Sequence, residues 1–224
     1  RDALHPDQYY YSWIFYKALR RTFSKDKLLD YCRDVGLGNP LRDITLKDAS
    51  PTSIKHFYLL NKIQQDFNIS LKKIKFIVEF GGGYGSMCRV AFNNLGISNN
   101  KWSIIDLPIM LELQKLYLRE TLSKINFQKI KFFDNFLNIK IEDKSIFIAT
   151  WSLSETPLEF RKKMESWLVN FEYIFIAFQE NYNNESNINY FKGLKLKLTN
   201  THKVKLKESE FYPSHYYFNG QKIK

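Results

Sequence analysis

Two kinds of apolar spacing divide the chain. In the first third, apolar residues fall at helical intervals: Tyr10, Trp13, Ile14 and Ala18 predict a helix over residues 7–23, and residues 28–35 read as a second, shorter one. Gly36-Leu-Gly-Asn-Pro40 breaks that pattern. Ser50-Pro51 then opens a third helix, because a hydroxyl can cap the first free N–H groups and proline's fixed φ suits the first helical position. Ile54, Phe57, Tyr58, Leu60 and Ile63 carry its apolar stripe to about Phe67.

From Lys75 onward short apolar runs alternate with helical patterns, the signature of βαβ units and a parallel sheet. Strands are predicted at 76–80, 102–106, 129–133, 145–150 and 173–178, with helices at 86–95, 108–120 and 157–169. Residues 194–207 and 215–223 read as two more strands, joined by a turn around 211–214. The expected architecture is α/β: a seven-stranded, mostly parallel sheet with helices on both faces. Residues 1–70 form a helical extension packed on a core of residues 71–224, and 7–23 are placed to act as a lid.

Composition narrows the class. With 224 residues, 44% hydrophobic and 25% charged, the chain is neither disordered nor a coiled coil nor a disulfide scaffold. No apolar stretch approaches the ~18 residues a membrane span needs. The charged, Tyr-rich start predicts no signal peptide, and a start at Arg1 without Met reads as a trimmed chain or fragment. Cys32 and Cys88 have no CxxC or Cys/His neighbour at ligand spacing, which fits a reducing cytoplasm. The net charge of +11 invites a nucleic-acid or anionic-surface partner, but Lys and Arg are spread along the chain without a long basic block. The aromatic share of 17% accompanies abundant Lys, Asn and Ile, a bias that nucleotide composition produces by itself.

The chemistry concentrates after the first predicted strand, in Glu79-Phe-Gly81-Gly82-Gly83-Tyr84-Gly85. Glycines there let the backbone approach a ligand at the point where open α/β sheets bind nucleotides. A dinucleotide fingerprint fails, because the sixth position from Gly81 is Ser86, and a P-loop fails because no Lys follows the glycines. What remains is acidic-x-Gly-x-Gly-x-Gly, followed 21 residues after Gly85 by Asp106 at the end of the second strand. A carboxylate there can accept from both hydroxyls of a ribose. The bland alternatives are an ordinary strand-to-helix turn for the glycines and an N-cap for Asp106.

This pattern resembles the first motifs of class I S-adenosylmethionine-dependent methyltransferases, whose fold is Rossmann-like. The resemblance implies S-adenosyl-L-methionine as cofactor and S-adenosyl-L-homocysteine as product. It places Glu79, Gly81, Gly82, Gly83 and Gly85 around the amino-acid end and Asp106 on the ribose. Asp106-Leu107-Pro108 is similar to the DLP of methyltransferases acting on small-molecule hydroxyls, and Phe133-Asp134-Asn135-Phe136 to the adenine-contacting segment. Asp134 read without the resemblance is a solvated turn residue. Trp151, after the fourth strand, joins the expected cofactor site.

A hydroxyl acceptor needs a general base near the end of strand four, where Thr150-Trp-Ser-Leu-Ser-Glu155 lies, so Glu155 is the first candidate. His215 is the second, with an imidazole that titrates near neutrality when unperturbed. The same segment lacks the Pro-Pro-aromatic motif of nucleobase amino-methyltransferases, and Thr150 to Ser154 lacks the metal-binding acids of catechol-type enzymes; with Glu155 as the nearest acid, no metal ligands are assigned. Tyr84, Ser154 and Glu180 are acceptor-binding candidates, and Trp151, Tyr182 and residues 9–11 offer aromatic faces for a sugar or a sulfonium. His56 and His202 are expected to be structural.

Gly38-Asn39-Pro40, Ser152-Leu-Ser154-Glu155 and Pro213-Ser-His215-Tyr-Tyr217 add a resemblance to the bacterial sugar O-methyltransferases of surface-polysaccharide gene clusters. It implies a sugar or oligosaccharide acceptor. An RNA methyltransferase and a noncatalytic cofactor-binding subunit are the alternatives; no RNA-specific motif accompanies the basic charge.

Overall fold

The computed structural model describes residues 6–223. Three helices come first: α1 (Pro6–Arg20), α2 (Lys25–Cys32) and α3 (Pro51–Phe67). Ser50 caps α3 as its spacing predicts, in a reciprocal box with Ser53, and Asn68 ends the helix in the left-handed conformation at φ 53°.

Five parallel strands follow, β1 (Phe76–Phe80), β2 (Lys101–Ile105), β3 (Ile130–Phe133), β4 (Ser145–Thr150) and β5 (Tyr173–Gln179). Between them run α4 (Ser86–Arg89), which continues as a π turn over Val90–Asn94, α5 (Pro108–Thr121), α6 (Lys124–Phe127) and α7 (Leu158–Leu168). A short hairpin, β6 (Asn181–Tyr182) and β7 (Glu185–Ser186), turns through Asn183 and Asn184, both at positive φ, and leads into α8 (Asn187–Leu198). β8 (His202–Glu208) and β9 (His215–Lys222) close the sheet in the order β3-β2-β1-β4-β5-β9-β8, with β9 antiparallel to both neighbours. The expected seven-stranded, mostly parallel sheet is therefore present.

Strand alternation separates two cores. Ile77, Trp102, Ile104, Ile146, Ile148, Phe175 and Tyr217 face α1 to α5 and pack with Phe15, Leu28, Ile54 and Phe57. Val78, Phe147, Ile174, Ile176, Phe178 and Phe218 face α7 and α8 and pack with Met164, Leu168, Phe191 and Leu194. Both faces being covered explains why the central strands are continuous apolar runs.

One assignment changes. Residues 194–198 belong to α8, and the strand begins at His202. Leu-Lys-Leu-Lys-Leu mimics strand alternation, yet Leu196 is 75% exposed while Asn187, Phe191, Leu194 and Leu198 form a buried stripe at helical spacing. Packing against the sheet selects that stripe. Among the described residues no helix is long and apolar enough to cross a membrane.

Candidate functional site

The carboxyl ends of β1, β2 and β3 are stitched together in steps. Gly81 N–H donates to the Ile105 carbonyl at 2.8 Å, and Asp106 N–H to the Phe133 carbonyl at 3.2 Å. Gly81 sits at φ +72°, and a Cβ there would lie 2.1 Å from Cβ of Ser152, so the loops after β1 and β4 touch only because this side chain is missing. Ser152 Oγ completes the junction by donating to the Phe80 carbonyl. Gly82 and Gly85 close a turn through Gly85 N–H to the Gly82 carbonyl at 2.9 Å, and Gly83 stays exposed between them.

Glu79 is buried on the α1–α5 side, 4% exposed, and accepts from Trp102 Nε1 at 3.0 Å. Burial raises its pKa from 4.5 to about 7, the Trp102 hydrogen bond opposes the rise, and the nearby Asp106 charge adds to it. The folded protein thus holds a proton that the unfolded chain releases at lower pH, so Glu79 makes stability fall as pH rises from about 4.5 to 7 and level off above. Glu79→Gln keeps the acceptor for Trp102 and removes that charge. It is expected to flatten this slope and stabilise the protein at pH 8 by about 3 kcal/mol, read by urea unfolding at pH 4.5 and pH 8. A slope unchanged in the variant would refute it.

Asp106 is half-buried at the start of the loop into α5; Oδ1 accepts from Leu107 N–H at 2.9 Å and Oδ2 from Gln114 Nε2 at 2.7 Å. Gln114 also donates to the Gly83 carbonyl at 2.8 Å, so one fully buried amide clamps the glycine loop to the acid. Sequence reading missed Gln114. Its signal was a polar residue on the apolar stripe Leu111, Gln114, Tyr117 and Leu118 of α5. Asp134 and Asn135 lie exposed beyond β3, where Asn135 Oδ1 caps Leu137 N–H at 3.0 Å.

The loop after β4 forms the second half. Trp151 adopts φ 66°, ψ −34°, a conformation that costs a non-glycine residue about 1–3 kcal/mol, and its N–H donates to the Ala177 carbonyl at 2.7 Å. Ser154 Oγ lies 2.5 Å from the Trp151 carbonyl and 2.8 Å from Gln179 Oε1, which ties the loop after β4 to the end of β5. Glu155 is exposed at the rim, and partial burial raises its pKa. Gln179 pairs with His215 across β5 and β9. His215 Nδ1 lies 3.0 Å from the Pro213 carbonyl, which can only accept, so Nδ1 carries a hydrogen there and Nε2 is the ring nitrogen left without a protein partner among the described residues. The Trp151 ring stands 6.0 Å from His215 and 5.9 Å from Tyr212, and Tyr11 of α1 stacks on Tyr212 at 4.0 Å.

Trp151, Ser154, Glu155 and His215 therefore gather around Gln179, a residue the sequence reading did not single out. Glu180 does not join them: it follows β5 on the other side of the sheet, where its charge acts on Tyr216. Tyr84 turns against Tyr117, at 4.9 Å, into an apolar cavity of about 570 Å³ that Gly38, Pro40, Pro51, Leu113 and Leu116 also line. Tyr182 lies in the β6–β7 hairpin. His202 is buried with Nε2 at 2.9 Å from the Phe171 carbonyl, and burial lowers the pKa of both His202 and His56.

No family model and no curated protein matches the chain in sequence. Solved structures do match in shape. The methyltransferase domain of bacterial CtHen1 is 13% identical, with 76% of this chain and 97% of that one covered at a TM-score of 0.57. A SAM-dependent methyltransferase from Aquifex aeolicus is 14% identical over 73% and 89% of the two chains at 0.51. The glycopeptide N-methyltransferase MtfA is 8% identical over 74% and 95% at 0.54. This chain therefore has the Rossmann-like fold of the class I methyltransferases.

Proposed function

We propose that this chain is an S-adenosylmethionine-dependent O-methyltransferase that acts on a hydroxyl of a sugar or oligosaccharide in bacterial surface-polysaccharide biosynthesis. The observation that carries the cofactor reading is the Gln114 clamp, which holds Asp106 and the glycine loop as one rigid edge. The donor set suits the cofactor. Gln114 Oε1 and Ser86 Oγ are buried without partners among the described residues, so the site retains unused polar capacity beside the loop. Leu107 is 68% exposed next to Asp106 and offers apolar surface for a nucleoside to cover. MtfA, of the same fold, is also solved with (S)-adenosyl-L-methionine.

In this reading Asp106 accepts the ribose hydroxyls, Glu79 and Gly81 to Gly85 surround the amino-acid end, and Asp134 and Asn135 border the adenine. Trp151 separates cofactor from acceptor. The bound cofactor supplies an electrophilic methyl group on a sulfonium. The chain's own residues must orient the acceptor hydroxyl and take its proton. Glu155, whose proton affinity partial burial raises, is the first candidate base, and His215 is the second. Ser154 and Tyr84 contribute to the acceptor site. α1 of the 1–70 extension serves as a lid through Tyr11 on Tyr212. Cys32 and Cys88 are both free and buried, in keeping with a cytoplasmic enzyme. Part of the +11 charge, Lys203, Lys205 and Lys207, lies on edge strand β8, where charge blocks sheet-to-sheet pairing.

Purified protein is expected to bind S-adenosylhomocysteine, and Glu155→Gln to keep that affinity while turnover on surface glycans drops by about 10²–10⁴-fold. Full turnover in Glu155→Gln removes Glu155 as base. Absence of S-adenosylhomocysteine binding removes the whole reading.

A further inference from the structure

The site contains a cation that nothing above employs. Lys55, one turn into α3, places Nζ 5.2 Å from the centroid of the Trp151 ring, on the helix side of the strained loop after β4. It borders a cavity of about 160 Å³ lined by Tyr11, Ser12, Phe15, Pro51, Thr52 and Tyr212. No lining residue is acidic, and none of the ion pairs among the described residues includes Lys55. Asp43, the acid bonded to the wall residue Ser12, is committed there: Oδ2 accepts from Ser12 Oγ at 2.6 Å, and Oδ1 from Thr45 and Leu46 N–H, each at 2.8 Å. Pro51 and Thr52 belong to the first turn of α3, whose cap Ser50 donates to Asp34 Oδ2 at 2.5 Å, so that helix end already has its own carboxylate and leaves Lys55 without one. Burial lowers the Lys55 pKa, as expected for an ammonium without a counter-charge.

An ammonium with no ion-pair partner over an aromatic face, flanked by hydroxyls, is a receptor for an anion. We propose that Lys55 binds a ligand carboxylate at this site. The inference rests on the methyltransferase reading, which allows two sources of that carboxylate: the amino-acid end of the cofactor, or an acidic sugar acceptor. A single Lys–carboxylate pair in a partly desolvated site sets the scale at about tenfold or more in affinity.

Calorimetric titration of the full chain and of Lys55→Met with S-adenosylhomocysteine, 5′-methylthioadenosine, glucuronate and glucose separates the outcomes. A loss of tenfold or more for S-adenosylhomocysteine, with 5′-methylthioadenosine unchanged, supports the proposal and identifies the cofactor carboxylate, since only the first ligand carries one. Unchanged S-adenosylhomocysteine with Lys55-dependent binding of glucuronate but not glucose supports it and identifies the acceptor. Lys55→Arg is expected to retain binding, and Lys55→Gln serves as the neutral variant should Lys55→Met not fold. Equal weakening of S-adenosylhomocysteine and 5′-methylthioadenosine, or no Lys55-dependent binding of either acid, overturns the proposal and leaves the methyltransferase reading standing. A wild-type chain that binds none of the four ligands overturns both.

Discussion

Asp106→Ala is expected to lose binding of S-adenosylhomocysteine and of 5′-methylthioadenosine alike, by about 10²–10⁴-fold. Each hydrogen bond from a ribose hydroxyl to a carboxylate contributes about 1.5–3 kcal/mol, and alanine removes two. Both ligands carry the ribose, so both must suffer, in contrast to the selective loss expected at Lys55. A second effect travels through Gln114. Its Nε2 donates both to Asp106 and to the Gly83 carbonyl, so removing the acid frees one bond of the clamp that positions the loop. Asp106→Asn keeps the shape and one acceptor oxygen, and its affinity is expected to fall between wild type and alanine. Calorimetry on protein whose circular dichroism matches wild type checks the series; an Asp106→Ala affinity within about threefold of wild type would exclude the ribose role.

Gly81→Ala is expected to reduce folding stability by about 2–5 kcal/mol. Two costs combine. The left-handed backbone at φ +72° strains an L-residue by about 1–2 kcal/mol, and the new Cβ, 2.1 Å from that of Ser152, forces the loops after β1 and β4 apart at the price of about 1–3 kcal/mol of overpacking. The double variant Gly81→Ala/Ser152→Gly relieves the second cost only, so urea unfolding should recover part of the loss and leave the backbone strain. Additive effects of the two substitutions would show that the close approach carries no energy. Cofactor affinity should follow the clash, because Ser152 also donates to the Phe80 carbonyl that precedes the loop.

Much of the framework was legible in residue spacing. The apolar runs of β1, β2, β4 and β5 are buried on both faces over nearly all their length, which makes an apolar run a reliable sign, whereas edge strand β3 exposes Lys131. Ser50-Pro51 announced α3 because capping is local. Failure came where a local pattern had two readings: Leu194 to Leu198 alternates like a strand and also carries a helical stripe, and only the sheet beneath Phe191 and Leu194 chooses between them. The hairpin at Asn183-Asn184 has an evident turn signal in retrospect, but strands of two residues offer no periodicity to detect.

The site divides in the same way. Glu79, the glycines and Asp106 could be found in the sequence because a strand, a turn and a fixed interval place them, and covalent connection enforces that order. Gln114, Gln179 and Lys55 could not, since their partners lie 8 to 96 residues away along the chain and meet them only across packed elements. Sequence alone therefore determined the sheet grammar and the position of the glycine loop. Tertiary structure decided which buried amides hold that loop, which side of the sheet His215 and Glu180 occupy, and that an unpaired ammonium faces the gap beside Trp151. The physical reason is that backbone conformation is governed by neighbours in sequence, whereas the desolvation and charge balance of a side chain are governed by whatever the fold packs against it.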